Sequence, residues 1–116
     1  MLIAVAGPYS AETPEQRQRN LDAMNEAAAD VMKLGHIPVI GVNAALPVVA
    51  CLGPDANKYE ALMAISIALV EKCDAILMIG HSAGVDRELA VIEAKGLPVY
   101  CDVRDIPAPS SLPVAT

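Results

Sequence analysis

Two apolar runs, residues 2–6 and 75–79, constrain this chain more than anything else in it. Each is uninterrupted, and each stops at a glycine, Gly7 or Gly80. A strand with apolar side chains on both faces must be covered on both faces. The architecture that does so is a parallel sheet between layers of helices. The chain is 54% hydrophobic but only 3% aromatic. Its core is therefore limited to Ala, Val, Ile, Leu and Met, which suits such a sheet better than an aromatic-rich sandwich.

The 116 residues fit one domain. Between the two runs, Thr13-Pro14-Glu15-Gln16 reads as a helix start, with Thr13 as N-cap, Pro14 in the first turn and Gln16 closing a capping box. Leu21, Met24, Ala27, Ala28, Val31 and Leu34 then follow helical spacing to Gly35. Residues 37–40 read as a second strand, whose Pro38 suits a sheet edge. Residues 41–54, with Asn43, Pro47, Gly53 and Pro54, read as a long loop of the functional kind. A helix is expected from Asp55 to Lys72. Its middle, residues 61–70, is apolar nearly all round, so it is either wholly buried or packed on another subunit, and a subunit interface is the favoured reading. Residues 74–79 form the third strand, 84–95 a helix, and 97–101 a fourth strand after Gly96. The domain is thus expected over 1–101. Residues 102–116, with Pro107, Pro109 and Pro113, are expected to be extended or disordered.

Alternating strands and helices predict a single α/β domain, three-layered and flavodoxin-like or Rossmann-like, with about four parallel strands in the order 2-1-3-4. Strands one and three then lie side by side with crossovers on opposite faces, and ligands bind at that switch point. The loops leaving those strands, residues 7–10 and 80–84, meet there.

The second loop opens a helix through Ser82-Ala83-Gly84-Val85-Asp86-Arg87-Glu88. Free N–H groups and the positive end of the helix make a cradle for an anion. Glu88, expected in the first helical turn, reads either as a dipole complement or as a catalytic carboxylate beside that cradle. Ser82 and Gly84 read either as an ordinary N-cap and turn or as a phosphate or sugar site. Tyr9 either packs on its loop or lines a base pocket and orients a carboxylate. Arg19 and Asn20 either face solvent or reach the crevice mouth. Arg87 either stays solvated or helps to hold an anion, and Asp86 is expected in solvent. His81 lies in the anion loop without triad partners. His36 reads as a helix cap and Asp74 as structural.

A net charge of −6, with no Lys/Arg cluster, argues against a nucleic-acid groove. Cys51, Cys73 and Cys101 are odd in number and widely spaced, which supports neither zinc nor a disulfide framework and points to a reducing cytoplasm. The first apolar run lacks basic residues and ends too early for a signal peptide, and no apolar stretch reaches spanning length.

These residues resemble the nucleoside 2-deoxyribosyltransferase-like superfamily, and most closely its short bacterial and phage members. The resemblance rests on Ala6-Gly7-Pro8-Tyr9-Ser10, Arg19, Cys73-Asp74 and Ser82-X-Gly84-Val85-X-X-Glu88. The last motif is similar to that of the 2′-deoxynucleoside 5′-monophosphate hydrolases. The resemblance implies cleavage or transfer of an N-glycosidic bond in a nucleoside or its 5′-monophosphate. Glu88 would act at C1′, Gly7, Pro8, Ser10, Arg19, Ser82 and Gly84 would hold sugar or phosphate, and the residues leave the acid that protonates the leaving base open between Tyr9 and an inward-pointing Asp86. It implies no cofactor, no metal, a small-molecule partner and a homo-oligomer. The chain departs from the pattern at Ser66, where the family commonly has Asp, and at Ala4, where the hydrolases carry Tyr. These departures keep a second reading open, a catalytically inactive nucleotide-binding or sensing module. A purely structural oligomer is the third.

Overall fold

In the computed structural model, which describes residues 1–109, four parallel strands form one sheet. They are β1 (Leu2–Ala6), β2 (Ile37–Val39), β3 (Ala75–Met78) and β4 (Val99–Tyr100), in the order β2-β1-β3-β4. β1 pairs with β3 from Ile3↔Ala75 to Ala6↔Met78. Four helices accompany them: α1 (Pro14–Lys33), α2 (Gly41–Ala50), α3 (Lys58–Val70) and α4 (Ala83–Ala94). This is the three-layer, flavodoxin-like arrangement that the apolar runs predict. Pro38 does lie on an edge strand.

The unbroken apolar character of β1 and β3 follows from their two-sided burial. Ile3, Val5, Ala75 and Leu77 pack with Met24, Ala28 and Val31 of α1. Ala4, Ala6, Ile76 and Met78 point the other way, onto Val85 and Ile92 of α4 and Val70 of α3. Among the described residues no helix is long and apolar enough to cross a membrane.

Thr13 caps α1 as expected, its Oγ1 accepting from the Gln16 amide at 3.1 Å. The reciprocal half of the capping box is missing, because Gln16 Oε1, the atom that would accept from the Thr13 amide, instead accepts from Arg19 Nη2 at 2.7 Å. Gly35, at φ +93°, turns the chain out of the helix.

The largest departure is residues 41–54, which contain a helix, α2, rather than a loop. Val42, Ala45 and Val49 form its buried stripe. Pro47 sits inside it and removes one intrahelical bond, the one to the Asn43 carbonyl. α3 is also shorter than the expected 55–72. Much of its apolar surface is covered within the chain, by α2 and α4, with Met63, Ser66 and Val70 buried.

Residues 102–109 are not a free tail. Val103–Asp105 form a 3-10 turn, and Ile106 is buried in the α1-side core. Residues 110–116, the rest of the expected tail, lie outside the described residues. His36 fastens this segment. It is buried, and its Nε2 lies 2.6 Å from the Pro107 carbonyl. A carbonyl only accepts, so Nε2 carries the proton and Nδ1 accepts from the Met1 ammonium at 2.8 Å. His36 is therefore a strap between strand start and C-terminal segment rather than a simple helix cap. Asp74 is structural, as expected: its Oδ2 accepts from the Leu2 amide at 2.8 Å.

Candidate active site

The loops leaving β1 and β3 touch at the switch point. Gly7 and Gly80 are required there by close approach, not by backbone angle. A Cβ on Gly80 would lie 2.8 Å from Pro8 Cδ, and one on Gly7 would lie 2.7 Å from Ile79 Cγ1. Beside this contact opens a cleft of about 730 Å³. The β1–α1 loop supplies Gly7, Pro8, Tyr9, Ser10 and Ala11, and the start of α4 supplies Ser82, Ala83, Gly84, Val85 and Glu88. Arg17 closes one side. The far wall is Val42, Leu46 and Val49 of α2 with Lys58, Tyr59, Leu62 and Met63 of α3.

Every site residue expected from the sequence borders this cleft except Arg19. That side chain is exposed, and its Nη2 donates to Gln16 Oε1 at 2.7 Å. A helix turns about 200° over two residues, so Arg17 and Arg19 project from opposite sides of α1. Arg17 is half-buried, lines the cleft and donates to the Ala11 carbonyl at 2.7 Å. Asn20 also steadies the loop, its Nδ2 donating to the Tyr9 carbonyl at 2.9 Å.

Ser82 is the N-cap of α4, Oγ accepting from the Val85 amide at 3.1 Å. The helix therefore begins at Ala83, which places Glu88 in the second turn and leaves Asp86 in the first. Glu88 is thus not a first-turn dipole complement. It follows Gly84 by four residues, on the same face, and helical side chains lean toward the N-terminus, so its carboxyl reaches back toward the cradle. Gly84 lets α3 approach, since a Cβ there would lie 3.2 Å from Met63 Sδ.

Glu88 is only 6% exposed. Burial pushes its carboxyl up to about 7, from an ordinary 4.5. Ser66 Oγ lies beside that carboxyl and opposes part of the rise. Ser66 is itself fully buried, and no partner meets full hydrogen-bond geometry at its Oγ among the described residues. The cleft thus holds one buried acid at its base, with the cations Arg17 and Lys58 on its walls.

The other candidates lie elsewhere. Arg87 is held by Glu60, Nη1 to Oε1 at 2.8 Å, and sits 5.8 Å from the centroid of the Tyr59 ring. Asp86 and His81 are exposed and do not border the cleft. Among the described residues no group of three His, Cys, Asp or Glu is arranged to hold a metal.

The α2 wall was not foreseen, because residues 41–54 read as loop, and α3, expected as a helix, read as a subunit interface rather than as a cleft wall. The helical spacing of Val42, Ala45, Leu46 and Val49 was the available signal. The breakers Gly41, Pro47 and Gly53 obscured it.

A family model described as a domain of unknown function, DUF4406, matches residues 1–101. Among solved structures, the chain is similar to the 2-deoxyribosyltransferase of the psychrotolerant bacterium Bacillus psychrosaccharolyticus, a biocatalyst for nucleoside synthesis. The TM-score is 0.57 at 17% identity, covering 85% of this chain and 69% of that one. No curated protein matches the chain. With the family model spanning 101 residues, the chain belongs to the DUF4406 family, and it has the fold of that 2-deoxyribosyltransferase.

Proposed function

We propose that the chain cleaves or transfers the N-glycosidic bond of a (deoxy)nucleoside or nucleoside 5′-monophosphate, with Glu88 acting at C1′. The observation that carries this reading is the buried Glu88 carboxyl at the base of a cleft formed by the two switch-point loops. The fold shared with a 2-deoxyribosyltransferase supports it. Ser82 and Gly84 at the start of α4, together with Gly7, Pro8 and Ser10, hold the sugar and phosphate.

In the proposed chemistry, ionised Glu88 attacks C1′ while the C1′–N bond breaks. The bonding pair leaves on the base nitrogen, which takes a proton from Tyr9, the neighbouring hydroxyl on the cleft wall. Positive charge developing on the sugar is stabilised by the carboxylate. Water, or the nitrogen of a second base, then displaces Glu88 from C1′ and returns a proton to Tyr9. A homo-oligomer through residues 55–72 is part of the proposal. Exposed Ala64 and Ala68, four residues apart, lie on one face of α3 that it could use.

One observation favours the second reading, a binding or sensing module: Glu88 is the only carboxylate among the residues bordering the cleft. The test is incubation with a panel of deoxynucleosides and their 5′-monophosphates, reading free base by chromatography. Base release that falls at least about 10³-fold in Glu88→Gln is expected. Turnover that survives Glu88→Gln overturns the role of Glu88. Calorimetric binding of a nucleotide without base release favours the sensing module.

A further inference from the structure

Ser66 is a polar residue with no structural task of its own. It lies in the middle of α3, fully buried, and its Oγ meets no donor or acceptor in full hydrogen-bond geometry among the described residues. A buried hydroxyl without a partner is costly, and an alanine would remove that cost. The surroundings leave room for this hydroxyl. Gly41, the first residue of α2, packs directly on Ser66, and a Cβ there would overlap Ser66 Oγ and lie 2.8 Å from Ser66 Cα. Beside the Ser66 hydroxyl is the Glu88 carboxyl, 6% exposed on α4. Three helices thus converge on one hydroxyl and one carboxyl.

We propose that Ser66 is the positioning residue for Glu88, its hydroxyl donating to one carboxylate oxygen so that the other faces the cleft. The proposal rests on the reading of Glu88 as the group that acts at C1′. A carboxylate buried without a donor swings between rotamers and favours its neutral form. A fixed hydroxyl donor holds it anionic and aligned. The titratable groups that share the cleft with Glu88 are Tyr9, Arg17 of α1, and Lys58 and Tyr59 of α3; Cys73, before β3, feels its charge, and α2 has no titratable group.

The test is a pH titration of the Glu88 side-chain carboxyl carbon by NMR, in protein labelled with ¹³C-glutamate and assigned by the signal missing from Glu88→Gln. Ser66→Ala is expected to move the midpoint upward by about one pH unit, the worth of a hydrogen bond to a charged group. Ser66→Cys, a weaker donor, is expected to fall between Ser66→Ala and wild type. A midpoint in Ser66→Ala that stays put or moves down overturns the proposal. This readout needs no substrate, so it separates the proposal from the reading beneath it. A shifted midpoint in a protein that releases no base upholds Ser66 as the partner of Glu88 and rejects the glycosidic function. Where base is released, the acidic limb of the rate profile is expected to move up with the NMR midpoint, and kcat to fall more than KM changes.

Discussion

At the end of the sheet where β1 and β3 begin, the polar groups are paired. Leu2 and Asp74 exchange two hydrogen bonds, at 2.8 and 2.7 Å. His36 uses both ring nitrogens, joining the Met1 ammonium to the Pro107 carbonyl. At the end where the same strands stop, a carboxyl and a hydroxyl are buried together without a full hydrogen bond between them. The first arrangement stabilises the fold. The second costs stability, and it lies where ligands bind in open α/β sheets. At the first end the buried His36 is paired through both ring nitrogens, whereas at the second the buried Ser66 hydroxyl is not.

The sharpest way to break this contrast is to neutralise the acid. The folded-state value of Glu88 is about 7 and the ordinary value 4.5. Between these the folded chain keeps a proton that the unfolded chain has lost, so stability falls as pH rises through that window and stays low above it. Glu88→Gln removes this penalty. The expected gain is about 3 kcal/mol above pH 7, on the order of 10 °C in Tm, and close to none at pH 4.5. Calorimetric melts of wild type and variant at pH 8 and pH 4.5 measure it. An equal gain at both pH values would mean that Glu88 ionises normally and that the cleft end carries no stored cost.

The opposite end sharpens the contrast in the other direction. His36→Ala leaves an ammonium and a carbonyl without their partner and opens a void. It is expected to destabilise by about 2 kcal/mol, measured by denaturant unfolding. Activity per folded molecule is expected to stay within about twofold of wild type, because the strap lies across the sheet from the cleft. A large loss of turnover at unchanged fold would show that the two ends are coupled.

The paired end and the cleft end were not equally legible in the sequence. β1, β3, the strand order and the meeting of the loops at Gly7 and Gly80 follow from two apolar runs and the rules of parallel sheets. That Ser82, Gly84 and Glu88 lie together at the cleft was legible because they follow a strand at the start of a helix, although the turn that holds Glu88 was not. The far wall was not, since the stripe of Val42, Ala45 and Val49 is interrupted by Pro47 and preceded by Gly41. Propensity counts those residues against a helix, and packing against α3 overrides it. The His36 strap was hidden for a different reason. It joins residues 1, 36 and 107, which no local pattern connects.

Arg17 and Arg19 show how a small error of phase misplaces a site residue. The apolar stripe of α1 runs through Leu21, Met24, Ala28 and Val31. Carried back one turn it reaches Arg17, not Arg19. Arg17 accordingly lies half-buried at the cleft, while Arg19 is exposed and bonded only to Gln16 among the contacts seen at its side chain. The smallest effect predicted here follows from that difference. Arg17→Ala is expected to lower kcat/KM about tenfold, since it removes a cation from the wall and loosens the loop at Ala11. Arg19→Ala is expected to change neither kcat/KM by more than about twofold nor stability by more than about 0.5 kcal/mol. Paired kinetics of the two variants decide the matter. An Arg19 variant as damaged as the Arg17 variant would mean that substrate binding extends beyond the cleft, across the start of α1, and that the boundary between the working end of the sheet and its solvated flank is drawn in the wrong place.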